Sequence, residues 1–211
     1  MSGAPPAAPR PATHRTLRWT GILCASLSLA ALVVHVLGLL PMPFFLQFFA
    51  IPAFLLLLAL AAWAKWVKAT LFLNGLWVGA WGGLLATLVY DGIRLLINLT
   101  HLFGYSGFVP ILLFGSWITG QPTTSTAAAV AGWTYHYWNG VSFGILYALL
   151  VGKRHWLFGV LYGVVMECCM LGLFPMFLKV DNRLDFIAVS MIGHVFYGAV
   201  LGLAVQRYGR R

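Results

Sequence analysis

Residues 133–147 read WTYHYWNGVSFGILY. The stretch has no Asp, Glu, Lys or Arg, yet it carries His136 and Asn139 in a segment that otherwise reads as membrane-spanning. His136, Gly140 and Gly144 are spaced in fours and fall on one face of a helix. Small residues at that spacing let helix backbones approach closely inside a bilayer. An ionisable side chain at the same depth is costly, so it is a functional candidate by default.

Composition supports the membrane reading. The chain has 211 residues, 61% hydrophobic and only 8% charged. Soluble domains are nearer about a quarter charged, and each membrane-spanning helix needs about 20 apolar residues. Hydrophobic runs predict six spans, at about 19–40, 44–64, 71–98, 129–151, 155–178 and 186–206. Pro41 and Pro43 separate the first two, and Trp63 to Lys68 form an aromatic and basic interface anchor. Thr124 or Ser125 is the expected N-cap of the fourth. The run from Trp19 to Leu40 exceeds the apolar region of a cleaved signal.

Three regions follow from this reading: a disordered tail at 1–17, an N-terminal hairpin at 18–68 and a four-helix core at 69–211. The core includes a long outer loop at 99–128. Its FVPILLFGSWITG (108–120) is apolar but too short to span, so it is expected in the interface or folded over the outer mouth. The Asn98-Leu99-Thr100 glycosylation triplet is read as chance. Cys24, Cys168 and Cys169 show no zinc-ligand spacing and are read as small apolar residues packed between helices.

The net charge of +9 lies in short clusters between apolar runs. It forms no continuous basic track, so nucleic acid is not an expected partner. With the N-terminus in the cytoplasm, Arg10, Arg15, Arg18, Lys65, Lys68, Lys153, Arg154, Arg207, Arg210 and Arg211 fall inside. Arg94, Lys179 and Arg183 fall outside. That bias predicts cytoplasmic termini in a multi-pass protein of the bacterial inner membrane.

Spans three and five share a pattern, GLLATLVYD (83–91) and GVLYGVVME (159–167). Each begins with a glycine and reaches a carboxylate eight residues on. Spans four and six share FGILYALL (143–150) and YGAVLGLA (197–204), which aligns Gly144 with Gly198. The packing stripes are Gly83 and Thr87, Gly159 and Gly163, His136, Gly140 and Gly144, and Ser190, His194, Gly198 and Gly202. The last four spans therefore read as two parallel hairpins, an acidic helix followed by a histidine helix in each.

The ordered elements resemble a family of small, uncharacterised bacterial membrane proteins. The first is Gly-x-x-Ala-Thr, here Gly83, Ala86 and Thr87. The second is His-x-x-x-Gly-x-x-Phe-Gly-x-x-Tyr, here His136, Gly140, Phe143, Gly144 and Tyr147. Phe158-Gly159 opens the next span. His-x-x-Tyr-Gly-x-x-Leu-Gly follows late, here His194, Tyr197, Gly198, Leu201 and Gly202. The resemblance covers about residues 71–208 and implies a membrane helical fold with no established activity. Asp91, Glu167 and the first two spans lie outside its pattern.

Six polar residues are the candidate ligand- or proton-binding groups: Glu167, His194, Asp91, Arg94, His136 and Asn139. By predicted depth nearly all sit in the outer half of the bilayer, with Glu167 near the middle. Competing structural roles exist for several. Asp91 and Arg94, at i and i+3, can pair with each other. His136 can anchor in an aromatic belt with Trp133, Tyr135, Tyr137 and Trp138. His194 can serve as a helix–helix hydrogen bond. Glu167 has no basic residue within a turn, so a neutral state or a partner from another helix is expected.

Three functions fit. The first is transport or permeation of a small solute, ion or proton. The second is a haem or transition-metal site using His136, His194 and Glu167, although no tight ligand spacing indicates a cofactor. The third is a non-catalytic subunit or assembly factor of a membrane complex that meets its partner, or a second copy of itself, through lipid-facing surfaces. No Ser/His/Asp order or Gly-x-Ser-x-Gly elbow supports hydrolysis.

Overall fold

The computed structural model describes residues 11–104, 106–173 and 183–210. Among them the chain forms seven helices and no strand. They are α1 (Pro11–Val36), α2 (Met42–Trp66), α3 (Thr70–Thr100), α4 (Val109–Thr119), α5 (Thr126–Leu150), α6 (Leu157–Leu173) and α7 (Arg183–Tyr208). Four of these, α1, α2, α3 and α7, are long and apolar enough to cross a membrane. α5 is as long, at 25 residues, but its His, Asn, Ser, Thr and Gly content keeps it out of that group. α6 has 17 residues, and the rest of the expected fifth span, 174–178, falls outside the described residues.

Local chemistry explains the ends. Ser125 Oγ accepts from Ala128 N at 3.1 Å and caps α5, satisfying one of the free N–H groups of its first turn. Gly120 ends α4 at φ +67°, a left-handed conformation that costs glycine nothing. Within α2 the turn at Leu46–Ala50 widens to π geometry just before Pro52. A proline there has no N–H to donate and its ring crowds the preceding turn, so the added residue relieves the clash.

α1 begins at Pro11, so it takes in part of the segment expected to be an unstructured tail at 1–17. Proline is well placed at a helix start, and Leu17, nearly two turns further on, is fully buried, which anchors this end. Residues 1–10 lie outside the described residues. The cysteine reading is corrected at two of its three positions. Cys24 is buried, but Cys168 and Cys169 are exposed on the outer side of α6, because Gly159, Gly163 and Glu167 occupy its packed side.

The helices line up as α6, α7, α3, α5, α1 and α2, with α4 laid on α5. Glycine sets this order. A Cβ on Gly83 would meet the Gly140 carbonyl and Gly144 Cα, and one on Gly159 would meet the Gly198 carbonyl and Gly202 Cα. Both crossings bring backbone against backbone, as the small-residue stripes demand. The same holds where Gly115 of α4 meets Ala128 and Gly132 of α5. α4 thus folds back against the bundle rather than lying apart, burying Pro110, Ile111 and Phe114.

These contacts fall in a register one helical turn away from the expected match of Gly144 with Gly198. Gly83 stands to Gly140 and Gly144 as Gly159 stands to Gly198 and Gly202. The sequence comparison had set Gly144 against Gly198. A stripe with a glycine every four residues matches itself when shifted by one turn, and only the contacts fix the register.

The outer surface is apolar. Phe48, Leu55 and Leu58 of α2 are each more than half exposed, as are Leu23, Leu96 and Leu203 on three other helices. Contiguous apolar surface of this kind is unstable in water and at home in hydrocarbon. The fold fits a membrane protein whose outer faces meet lipid.

Gly144→Ala is expected to destabilise the protein by about 1–3 kcal/mol, because the added methyl must push two backbones apart. Gly92→Ala, in the same bundle but with nothing within 4 Å of its Cβ, is expected to be neutral or stabilising by up to about 1 kcal/mol. Thermal unfolding in detergent measures both. Equal effects would contradict the packing described here.

Candidate functional site

The glycine crossings fix where the polar groups lie. Asp91 is eight residues beyond Gly83 on α3, and Glu167 is eight beyond Gly159 on α6. His136 is four residues before Gly140 on α5, and His194 is four before Gly198 on α7. Two crossings with the same register therefore bring each carboxylate to a histidine on the neighbouring helix.

In the first pair, His136 Nε2 lies 3.0 Å from Asp91 Oδ1 and 3.1 Å from Oδ2. In the second, His194 Nδ1 lies 2.9 Å from Glu167 Oε2. The same Nδ1 is also 2.9 Å from the Ser190 carbonyl, one turn back on its own helix. The ring N–H is aimed at that carbonyl, so the close approach to Glu167 is not an aligned hydrogen bond. Neither Glu167 oxygen has any other donor, and the side chain is fully buried. A buried carboxyl group without a partner is a costly exception in a folded protein.

Arg94 does not take the place of His136. Its Nη1 is 3.7 Å from Asp91 Oδ1, beyond hydrogen-bond reach, so the expected i, i+3 pairing is only an electrostatic approach. The guanidinium instead lies over two rings, 4.7 Å from the Tyr90 centroid and 5.1 Å from that of Phe108. This cation–π geometry holds a charge with little water. Arg94 is buried and its Nε has no partner. Gly107 makes room for it, since a Cβ there would sit 2.6 Å from Nε.

The two histidines share one cavity of about 110 Å³. His136, His194, Arg94 and Asn139 line it, and Asn139 Oδ1 has no hydrogen-bond partner. Asp91 and Glu167 are not among its lining residues, so each carboxylate sits behind its histidine. The rest of the wall is largely apolar and includes Ile111 and Phe114 of α4. The volume suits three or four waters, at ~30 Å³ each, or one small organic molecule. Mostly apolar walls with a few convergent polar groups are the usual form of a small-molecule site.

All six candidate residues are thus brought to one level of the bundle, four as pairs and Arg94 and Asn139 on the shared wall. The aromatic-belt reading of His136 holds only in part. Trp133 and Tyr137 meet its ring edge-on, but Tyr135 turns to α1 and Trp138 to Phe54. Among the described residues no group of three or more His, Cys, Asp or Glu comes together as a metal site. The candidate metal ligands His136, His194 and Glu167 are divided between two pairs instead.

Sequence reasoning missed three contributors. Tyr90 stands between the histidines, its ring centroid 6.0 Å from that of His136 and 4.9 Å from that of His194. It lies seven residues after Gly83 and so on the same helical face, a spacing that could have flagged it. Gly193 leaves space for that ring. Tyr197 donates to the Gly140 carbonyl at 2.8 Å and ties α7 to the first crossing.

No curated protein and no solved structure matches the chain. The family of unknown function DUF6789 matches residues 73–211, which take in most of α3, all of α4 and α5, the described parts of α6 and α7, and the six candidate polar residues. The chain therefore belongs to the family of unknown function DUF6789.

Proposed function

We propose that the protein is a six-crossing module of the bacterial inner membrane that lets a small solute, ion or proton permeate, with α5 and α6 joining the four longer helices as spans. The two hairpins, α3 with α5 and α6 with α7, are read as an internal repeat. The observation that carries the proposal is the paired arrangement of carboxylate and histidine on either side of one cavity. A histidine beside a carboxylate keeps one ring nitrogen engaged and offers the other as a proton donor or acceptor. The free nitrogens are Nδ1 of His136 and Nε2 of His194. Each can exchange a proton with the cavity: His136 shares a hydrogen bond with Asp91, and His194 keeps Nδ1 on the Ser190 carbonyl with Glu167 Oε2 2.9 Å away.

Depth supports this use. His136 lies ten residues into α5 and fourteen from its end, so the pairs sit toward the side away from the chain termini. Chamber groups gathered on one side suit loading from that side. Glu167 is fully buried beside His194 and neither of its oxygens accepts an aligned hydrogen bond, which marks it as a functional group rather than a packing one. The metal and haem reading gains no cluster of ligands from the arrangement.

Reconstituted protein is expected to raise proton or solute flux into liposomes above that of empty vesicles. Glu167→Gln and His194→Ala, with unchanged gel-filtration profile and helicity, are expected to lower it at least about tenfold, the size of effect of a positioned proton group. Flux equal to that of empty vesicles, or variants that behave as wild type, would overturn the proposal. A separate check addresses topology. Green fluorescent protein fused after Arg211 is expected to fluoresce, and alkaline phosphatase at the same point to be inactive. The reverse pattern would invert the bundle.

A further inference from the structure

A second cavity, of about 570 Å³, opens at the other end of the bundle, where α1 and α3 begin and α5 and α7 end. His14, Arg15, Arg18, Lys153 and Arg210 line it. No carboxylate does. The chain has only four acids, Asp91, Glu167, Asp181 and Asp185. The first two belong to the histidine pairs, Asp185 lies in the first turn of α7 at the opposite end, and Asp181 precedes it in sequence. The ten residues ahead of α1 contain no acid either. Among the described residues no acidic side chain is placed to neutralise this cavity.

Two backbone features sharpen its preference. Arg18 donates from Nε to the Leu149 carbonyl at 2.7 Å and from Nη2 to that of Leu150 at 3.0 Å. It satisfies the open carbonyl end of α5 and leaves the remaining cations without that duty. α3 starts nearby with no acidic residue in its first turn and no side-chain cap, and Leu71 and Phe72 from that turn line the cavity. A helix N-terminus adds partial positive charge. Phe72, Val78 and Val205 give the same cavity an apolar wall.

We infer that this cavity binds the phosphate head group of an anionic phospholipid, with its chains along the apolar wall. A cationic pocket among spanning helices at the cytoplasmic side matches that ligand in charge, in depth and in its mixed polar and apolar form. The site is independent of the chamber and of what passes through it.

Native mass spectrometry of the full chain, released from mixed phosphatidylglycerol and phosphatidylcholine, tests the site. The wild type is expected to retain phosphatidylglycerol preferentially. Arg15→Gln/Lys153→Gln/Arg210→Gln is expected to lose about a hundredfold in that preference, roughly fivefold for each charge removed. Lys153→Gln alone, expected to show the fivefold loss, covers the case in which the triple variant fails to fold. Lys65→Gln/Arg154→Gln/Arg207→Gln removes as much charge from residues that do not line the cavity and is expected to change the preference little. Absence of preference in the wild type, or equal losses in the two triple variants, would overturn the inference. Displacement of the lipid by excess inorganic phosphate would also overturn it, assigning the cavity to a free anion.

Discussion

The close approach of glycine backbones is the constraint on which the rest depends. At the α3–α5 and α6–α7 crossings there is no room for a Cβ on either side. Close packing of this kind has few tolerated registers, since a shift of one residue drives a side chain into a backbone. The register in turn sets which side chains meet eight residues further along one helix and four residues back along the other. Asp91 meets His136 and Glu167 meets His194 because the glycines hold the helices there. Tyr197 adds a buried hydrogen bond to the Gly140 carbonyl, so the second hairpin is tied to the crossing of the first.

The cavity follows from the same geometry. One turn beyond the crossings Tyr90, His136 and His194 gather on the wall of one cavity, with Tyr90 against both histidine rings. α4 closes one side, held by a third close approach of Gly115 to Gly132. The loop before α4 is pinned as well: Gly104 N donates to Asp185 Oδ2 at 2.7 Å, which joins it to the start of α7. The long connection between α3 and α5 is therefore part of the wall of the site.

Much of this was legible in the sequence because bilayers impose length, charge placement and small-residue stripes. The six candidate polar residues come together in one region, and Ser125 caps α5 as its side chain allows. What escaped was fixed by contact rather than by pattern. The register of Gly144 against Gly198 could not be read, because GxxxG stripes are self-similar over one turn. The role of Tyr90 was hidden by its neighbour Asp91, which drew the attention a carboxylate commands. The start of α1 at Pro11 was masked by the Pro- and Ala-rich composition around it, although Leu17 gives that end a buried anchor. The cysteines of α6 were misplaced because adjacent residues on a helix diverge by about 100°. Glu167 takes the inward face and turns Cys168 and Cys169 outward.

The two ends of the bundle differ in charge, with acids and paired histidines on one side and unneutralised cations on the other. The central claim is that the two histidines are held differently beside their acids, His136 by Asp91 through Nε2 and His194 by the Ser190 carbonyl through Nδ1, with Glu167 alongside that nitrogen. Nitrogen NMR of protein labelled with ¹⁵N-histidine reads this directly. The account predicts a proton on Nε2 of His136 and on Nδ1 of His194, with Asp91→Asn perturbing only the first ring and Glu167→Gln only the second. Two histidines with the same tautomer, indifferent to either substitution, would contradict it.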